Sequence, residues 1–182
     1  MQSRRQLLQQ ALVLPFALPV PASKCCIISE PNCLSQESAE GYRRLLQNHQ
    51  SSFLAPDLIV VAGAGALARA RMPELRGRVL RGAWVIWESE PSSFQPAEAM
   101  YVRYSWPCTA MVRSFGRVQP VNCQPAESVA DLAGKSVGMK RRMGKGCFIF
   151  LGSMLGPHLR AGDHEALELA KALMHVRLSD PL

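Results

Sequence analysis

Apolar residues fall into two patterns along the first half of the chain. Continuous apolar runs of strand length occur at Cys25–Ser29, at Leu58–Ala62 within an expected strand Asp57–Ala62, and at Ala83–Trp87. A strand that is apolar at every position is covered on both faces, as in a parallel sheet. Between these runs the apolar residues recur at three- and four-residue steps. Ala39, Tyr42, Leu45, Leu46 and His49 predict one buried face of a helix capped by Ser35 and running to about Asn48. Leu75, Val79 and Leu80 predict a second helix, with Pro73 in its first turn and Gly82 just past its end. Strand, helix, strand, helix, strand in that order predicts parallel neighbours joined by right-handed crossovers.

The pattern changes after Pro91–Pro96 (PSSFQP). Met100, Val102, Tyr104 and Trp106 alternate with polar neighbours, which predicts a strand with one exposed face, stopped at Pro107. Met111–Val121 holds a further extended piece. Ala126–Leu132 predicts a short helix ended by Gly134. Ser136–Arg142 and Cys147–Leu151 flank Met143-Gly144-Lys145-Gly146, a hairpin in which Gly144 and Gly146 supply the turn conformations. Gly152–Gly162 is expected to be a loop. Asp163 caps a last helix to about Val176, with Ala166, Leu167, Ala170, Leu173 and Met174 facing inward.

At 182 residues and 48% hydrophobic, the chain is large enough to bury an ordinary single core. Its net charge is +7. Only Lys140-Arg141-Arg142 with Lys145 forms a basic cluster, and no nucleic-acid reading motif accompanies it. The N-terminus narrows the picture further. Ser3-Arg4-Arg5-Gln6-Leu7-Leu8 precedes an apolar stretch, Ala11–Ala22, which ends in small residues at Val20-Pro21-Ala22. That is the layout of a secretory signal, and the paired arginines resemble a twin-arginine address. Residues 1–22 are therefore expected to be a signal segment recognised by the twin-arginine export machinery. Residues 23–182 are expected to form one periplasmic domain without a stable membrane span. The stretch is too short and proline-rich to cross a bilayer. Six cysteines (Cys25, Cys26, Cys33, Cys108, Cys123 and Cys147) follow the signal. An oxidising compartment permits disulfides, though spacing does not choose a pairing. Cys147 opens an apolar run and is expected to be a small buried residue. No C-x-x-C spacing points to zinc. No metal or cofactor is expected.

Carboxyl ends of parallel strands are where such folds bind ligands. Polar and glycine residues follow the apolar runs at Glu30, at Gly63 and Gly65, at Glu88-Ser89-Glu90, and at Ser153–His158. We take Glu30, Gly63, Gly65, Glu88, Ser89, Glu90 and His158 as candidate ligand-binding residues. Three chemistries compete for them. Glu30, Glu88 and Glu90 with His158 could serve a hydrolase, since paired carboxylates divide acid and base roles. Gly63-x-Gly65-x-x-Ala68 after a strand matches a relaxed dinucleotide fingerprint, with Glu88 where a ribose-binding acid would lie, although Pro73 interrupts the helix that should follow. Strand-end carboxylates can also simply cap neighbouring helices. No G-x-S-x-G or G-x-C-x-G elbow is present.

DLIVVAGAGAL, GRVLRGAWVIWES and the late KRRMGKGCFIFLGS together resemble the class I glutamine amidotransferase-like superfamily. The resemblance implies an α/β, three-layer, flavodoxin-like, mainly parallel sheet with a late β-hairpin. That family's catalytic cysteine elbow and H-x-E pair are absent, since His164-Glu165 is adjacent rather than spaced. The resemblance thus implies a non-catalytic member that binds a small polar ligand or a partner protein at the strand ends.

Overall fold

The computed structural model describes residues 24–49, 57–89, 100–114 and 118–176. Among the described residues there are eight strands: β1 (Lys24–Ser29), β2 (Asp57–Ala62), β3 (Trp84–Glu88), β4 (Tyr101–Tyr104), β5 (Ala110–Arg113), β6 (Glu127–Leu132), β7 (Lys135–Met143) and β8 (Gly146–Leu151). The helices are α1 (Cys33–His49), α2 (Ala66–Ala70), α3 (Met72–Leu80), α4 (Gly156–Ala161) and α5 (His164–His175). One sheet holds all eight strands in the order β1-β2-β3-β8-β7-β6-β4-β5. β1, β2, β3 and β8 are mutually parallel. From β8 onward every pairing is antiparallel.

The expectation of a three-layer, flavodoxin-like, mainly parallel sheet is therefore corrected to a mixed sheet. Hairpins added beyond β8 make half of it. The layering differs between the halves too. On one face, Leu58, Val60, Trp84, Ile86, Ile149, Val102 and Val112 pack against Tyr42, Leu45, Leu159, Leu169 and Leu173 from α1, α4 and α5. On the other face, Ile59, Val61, Val85 and Phe148 pack against Ala68, Leu75 and Val79 from α2 and α3. That second cover does not reach β4 and β5, whose alternate residues Tyr101, Arg103, Met111 and Arg113 are exposed. A half-covered strand alternates, whereas a doubly covered one is apolar throughout.

Local chemistry explains where the elements start and stop. Asn32, not Ser35, caps α1: its Oδ1 accepts the Ser35 N–H at 2.8 Å. The helix expected to follow Gly65 is broken by Pro73 into α2 and α3, with the proline in the first turn of α3. Ala126–Leu132 is not a helix. It is strand β6, turned into β7 through Ala133 (φ 49°) and Gly134 (φ 77°), both left-handed as a tight hairpin requires. The expected loop at 152–162 contains α4, with Pro157 in its first turn and left-handed Gly162 at its end. Asp163 caps α5 by accepting the Ala166 N–H at 2.9 Å. In the β7–β8 turn only Gly144 has positive φ (58°). Gly146 serves close packing instead, because a Cβ there would sit 2.2 Å from the Ala83 carbonyl oxygen.

Candidate functional site

Four loops meet at the carboxyl edge of the parallel strands. Ser35 Oγ, from the first turn of α1, donates to the Gly63 carbonyl at 2.9 Å. Ala64 N–H donates to the Glu88 carbonyl at 2.9 Å. Ser89 N–H donates to the Leu151 carbonyl at 2.8 Å. Gly63 itself is left-handed (φ 62°), and the Ser35 hydroxyl lies 2.5 Å from where its Cβ would be. A side chain at residue 63 would therefore be strained and would collide.

Each described strand-end glutamate serves a helix start. Glu30 Oε1 accepts the N–H groups of Gly65 (3.0 Å) and Ala68 (2.9 Å) at the beginning of α2. Gly65 allows this approach, since a Cβ there would lie 2.8 Å from the Glu30 carboxyl carbon. Glu88 Oε1 accepts the N–H groups of Leu155 (2.7 Å) and Gly156 (3.0 Å) at the beginning of α4, and the Tyr42 hydroxyl at 3.0 Å. Its Oε2 meets the Ser38 hydroxyl at 2.5 Å. Free N–H groups at a helix start attract anions, and here the protein supplies its own. A phosphate at Gly63-x-Gly65 would meet the Glu30 carboxylate already on those N–H groups.

Glu88 is completely buried. Burial raises its pKa above the ordinary carboxylate value, partly opposed by the donors from Ser38, Gly156, Leu155 and Tyr42. Burial also lifts the Tyr42 phenol well above its usual range and pushes Tyr104, 3.4 Å from the Ser153 hydroxyl, up to about 12. The result is a polar core joining α1, β3, β4 and the turn before α4. Glu30, Ser35, Ser38, Gly63, Gly65, Glu88, Ser153 and Gly156 are all buried.

The structure thus brings together Glu30, Gly63, Gly65 and Glu88, with half-buried Ser89 beside them. His158 is half-buried on α4, and burial holds its imidazole below the usual pKa. Glu90 and residues 1–22, the expected signal segment, lie outside the described residues. Ser38 and Tyr42 escaped the sequence reading. Tyr42 stands there only as part of an apolar helix face, and its hydroxyl's partner is distant in sequence. All six cysteines are free thiols, and Cys147 is buried. Among the described residues no His, Cys, Asp and Glu group is placed to hold a metal. None of the described helices is long and apolar enough to cross a membrane.

No family profile matches the chain, and no curated protein matches it. Solved structures share the fold. A β-galactosidase from Bacillus circulans sp. alkalophilus is 10% identical with a TM-score of 0.59, over 86% of this chain and 31% of that one. An exo-β-1,4-mannosidase from Opitutaceae bacterium strain TAV5 is 15% identical with a TM-score of 0.55, over 93% and 36%. A β-galactosidase from Rahnella sp. R3 is 13% identical with a TM-score of 0.55, over 83% and 31%. This chain therefore spans about a third of the length of these structures. They correct the amidotransferase-like resemblance drawn from the glycine and apolar segments: these three structures are two β-galactosidases and an exo-β-1,4-mannosidase, none of them amidotransferase-like. The likeness is one of fold, over about a third of each of these structures.

Proposed function

We propose that this chain is an exported domain of glycosidase-type architecture that binds a small polar ligand or a partner protein and does not itself cleave a glycosidic bond. The observation that carries this reading is the state of Glu88. A glycosidase carboxylate must reach a substrate oxygen or anomeric carbon. Glu88 is buried, and both its oxygens are engaged by Ser38, Tyr42, Leu155 and Gly156. Glu30 is likewise committed to Gly65 and Ala68. The purified protein is expected to show no turnover of nitrophenyl β-galactoside or β-mannoside above buffer. It is expected to show a rise in melting temperature with a bound sugar or partner.

A second reading, a hydrolase using Glu30, Glu88 or Glu90 with His158, is favoured by the similar structures, which are β-galactosidases and an exo-β-1,4-mannosidase. Turnover that falls about a hundredfold or more in Glu88→Gln, with the fold retained, would establish it against the first.

Export rests on the Arg4-Arg5 signal. Replacing both arginines with lysine is expected to retain the protein in the cytoplasm on cell fractionation. Undiminished periplasmic recovery would rule out the twin-arginine route.

A further inference from the structure

The surface formed by α2, α3 and the β7–β8 turn is strongly basic. Residues 66–81 carry Arg69, Arg71, Arg76, Arg78 and Arg81 against a single acid, Glu74, which pairs with Arg71 at 3.1 Å. The basic cluster at 140–145 is divided by the fold. Lys140 is buried over the Trp106 ring and pairs with Glu127, whereas exposed Lys145 lies in the turn beside α3. That turn touches the end of α3: the Lys145 N–H donates to the Leu80 carbonyl at 3.3 Å, and Gly144 packs on the Leu80 backbone.

Leu80, the last residue of α3, is 52% exposed within this patch. Arg76 lies one helical turn before it and Arg81 next to it. Arg76, Arg81 and Lys145 are exposed and make no ion pair with any described residue. An exposed aliphatic side chain thus lies among cations that pair with no described residue.

We propose that this patch docks the protein on an anionic lipid bilayer, with Leu80 entering the headgroup boundary and Arg76, Arg81 and Lys145 meeting lipid phosphates. Aliphatic insertion together with cationic attraction is the chemistry of interfacial binding. A single-stranded nucleic acid would call instead for aromatic stacking side chains, and the described residues of this patch hold none.

The test is co-sedimentation of the full chain with vesicles of phosphatidylcholine alone, or with about a third of the lipid replaced by phosphatidylglycerol. The protein is expected to sediment with the anionic vesicles, and less so as salt is raised. The double variant Arg76→Glu, Arg81→Glu should lower partitioning at least about tenfold, and Leu80→Ser should lower it several-fold. Both should keep the wild-type melting temperature, since all three residues are exposed. Absence of binding to anionic vesicles at low salt would overturn the proposal. So would equal binding to neutral vesicles. Binding that depends on the arginines but not on Leu80, and that RNA competes away, would assign the patch to a soluble polyanion instead.

Discussion

Glu88→Ala is expected to destabilise the protein by about 3–5 kcal/mol, because it leaves buried donors without an acceptor. Four groups lose their partner: the Ser38 and Tyr42 hydroxyls and the Leu155 and Gly156 N–H groups. The hydroxyls can rotate to other acceptors. The two backbone N–H groups cannot, and they sit at the buried start of α4. Glu88→Gln should behave quite differently. Its carbonyl oxygen can accept the three bonds now made to Oε1, and its amide can donate to Ser38 Oγ. The protonated carboxyl would make the same set of bonds. This matters for pH. The folded state holds the Glu88 proton more tightly than the unfolded chain, whose carboxyl titrates near the ordinary 4.5. Stability from this group is therefore fully present below that value and falls as pH rises through the raised folded pKa. Glu88→Gln should remove that decline while remaining close to wild type in mildly acidic solution. Denaturant melts across pH would measure both effects. An alanine variant that costs less than about 1 kcal/mol would mean that the polar core does not hold α4 in place.

The second large effect is expected at Gly41, in the middle of α1. A Cβ there would lie 1.9 Å from the Gly156 carbonyl oxygen and 3.0 Å from the Arg160 nitrogen. Reciprocally, a Cβ on Gly156 would lie 2.4 Å from the Ser38 carbonyl oxygen and 2.5 Å from the Ser38 Cα. The two helices touch backbone to backbone, so nothing flexible can yield. Gly41→Ala should cost about 3 kcal/mol, at the upper end of overpacking penalties. Gly77→Ala is the matched control. Gly77 is also inside a helix, but its added Cβ would meet only the Arg81 guanidinium, at 3.6 Å. There the usual helix preference for alanine should prevail, stabilising by about 0.5–1 kcal/mol. Equal melting temperatures for the two variants would refute the close-contact account of α1 and α4.

Elements covered on both faces were legible because burial leaves a continuous apolar run. Asp57–Ala62 is β2 as expected, and Ala83–Trp87 differs from β3 by one residue at each end. β6 was not legible. Glu127–Leu132 (ESVADL) is composed mostly of residues that helices tolerate, and only Val129 and Ala130 are buried. Pairing with β7 makes it a strand, a tertiary choice that outweighs propensity. α4 was hidden by Gly152, Gly156, Pro157 and Gly162, which look like loop residues. Pro157 and Gly162 are in fact start and stop signals of a short helix. The strand-end residues could be named from their positions, but their partners could not. Glu30 answers to Gly65 and Ala68, and Glu88 to residues on α1 and α4. The family resemblance rested on apolar and glycine segments, which many α/β sheets share, and it carried no site chemistry.

The pairing of β3 with β8 has a consequence for how the protein is made. β3 is complete once Glu88 has emerged, and β2 already lies on one side of it, yet its neighbour on the other side is not synthesised until Gly146–Leu151. Until then Trp84-Val85-Ile86-Trp87 presents an apolar margin whose backbone groups invite any passing strand. Pairings between residues so distant in sequence form slowly, because loop closure precedes their reward. Nascent or truncated chains that stop short of β8 are thus the species most exposed to aggregation, and a chaperone that shields this margin would act in the interval before β8 arrives.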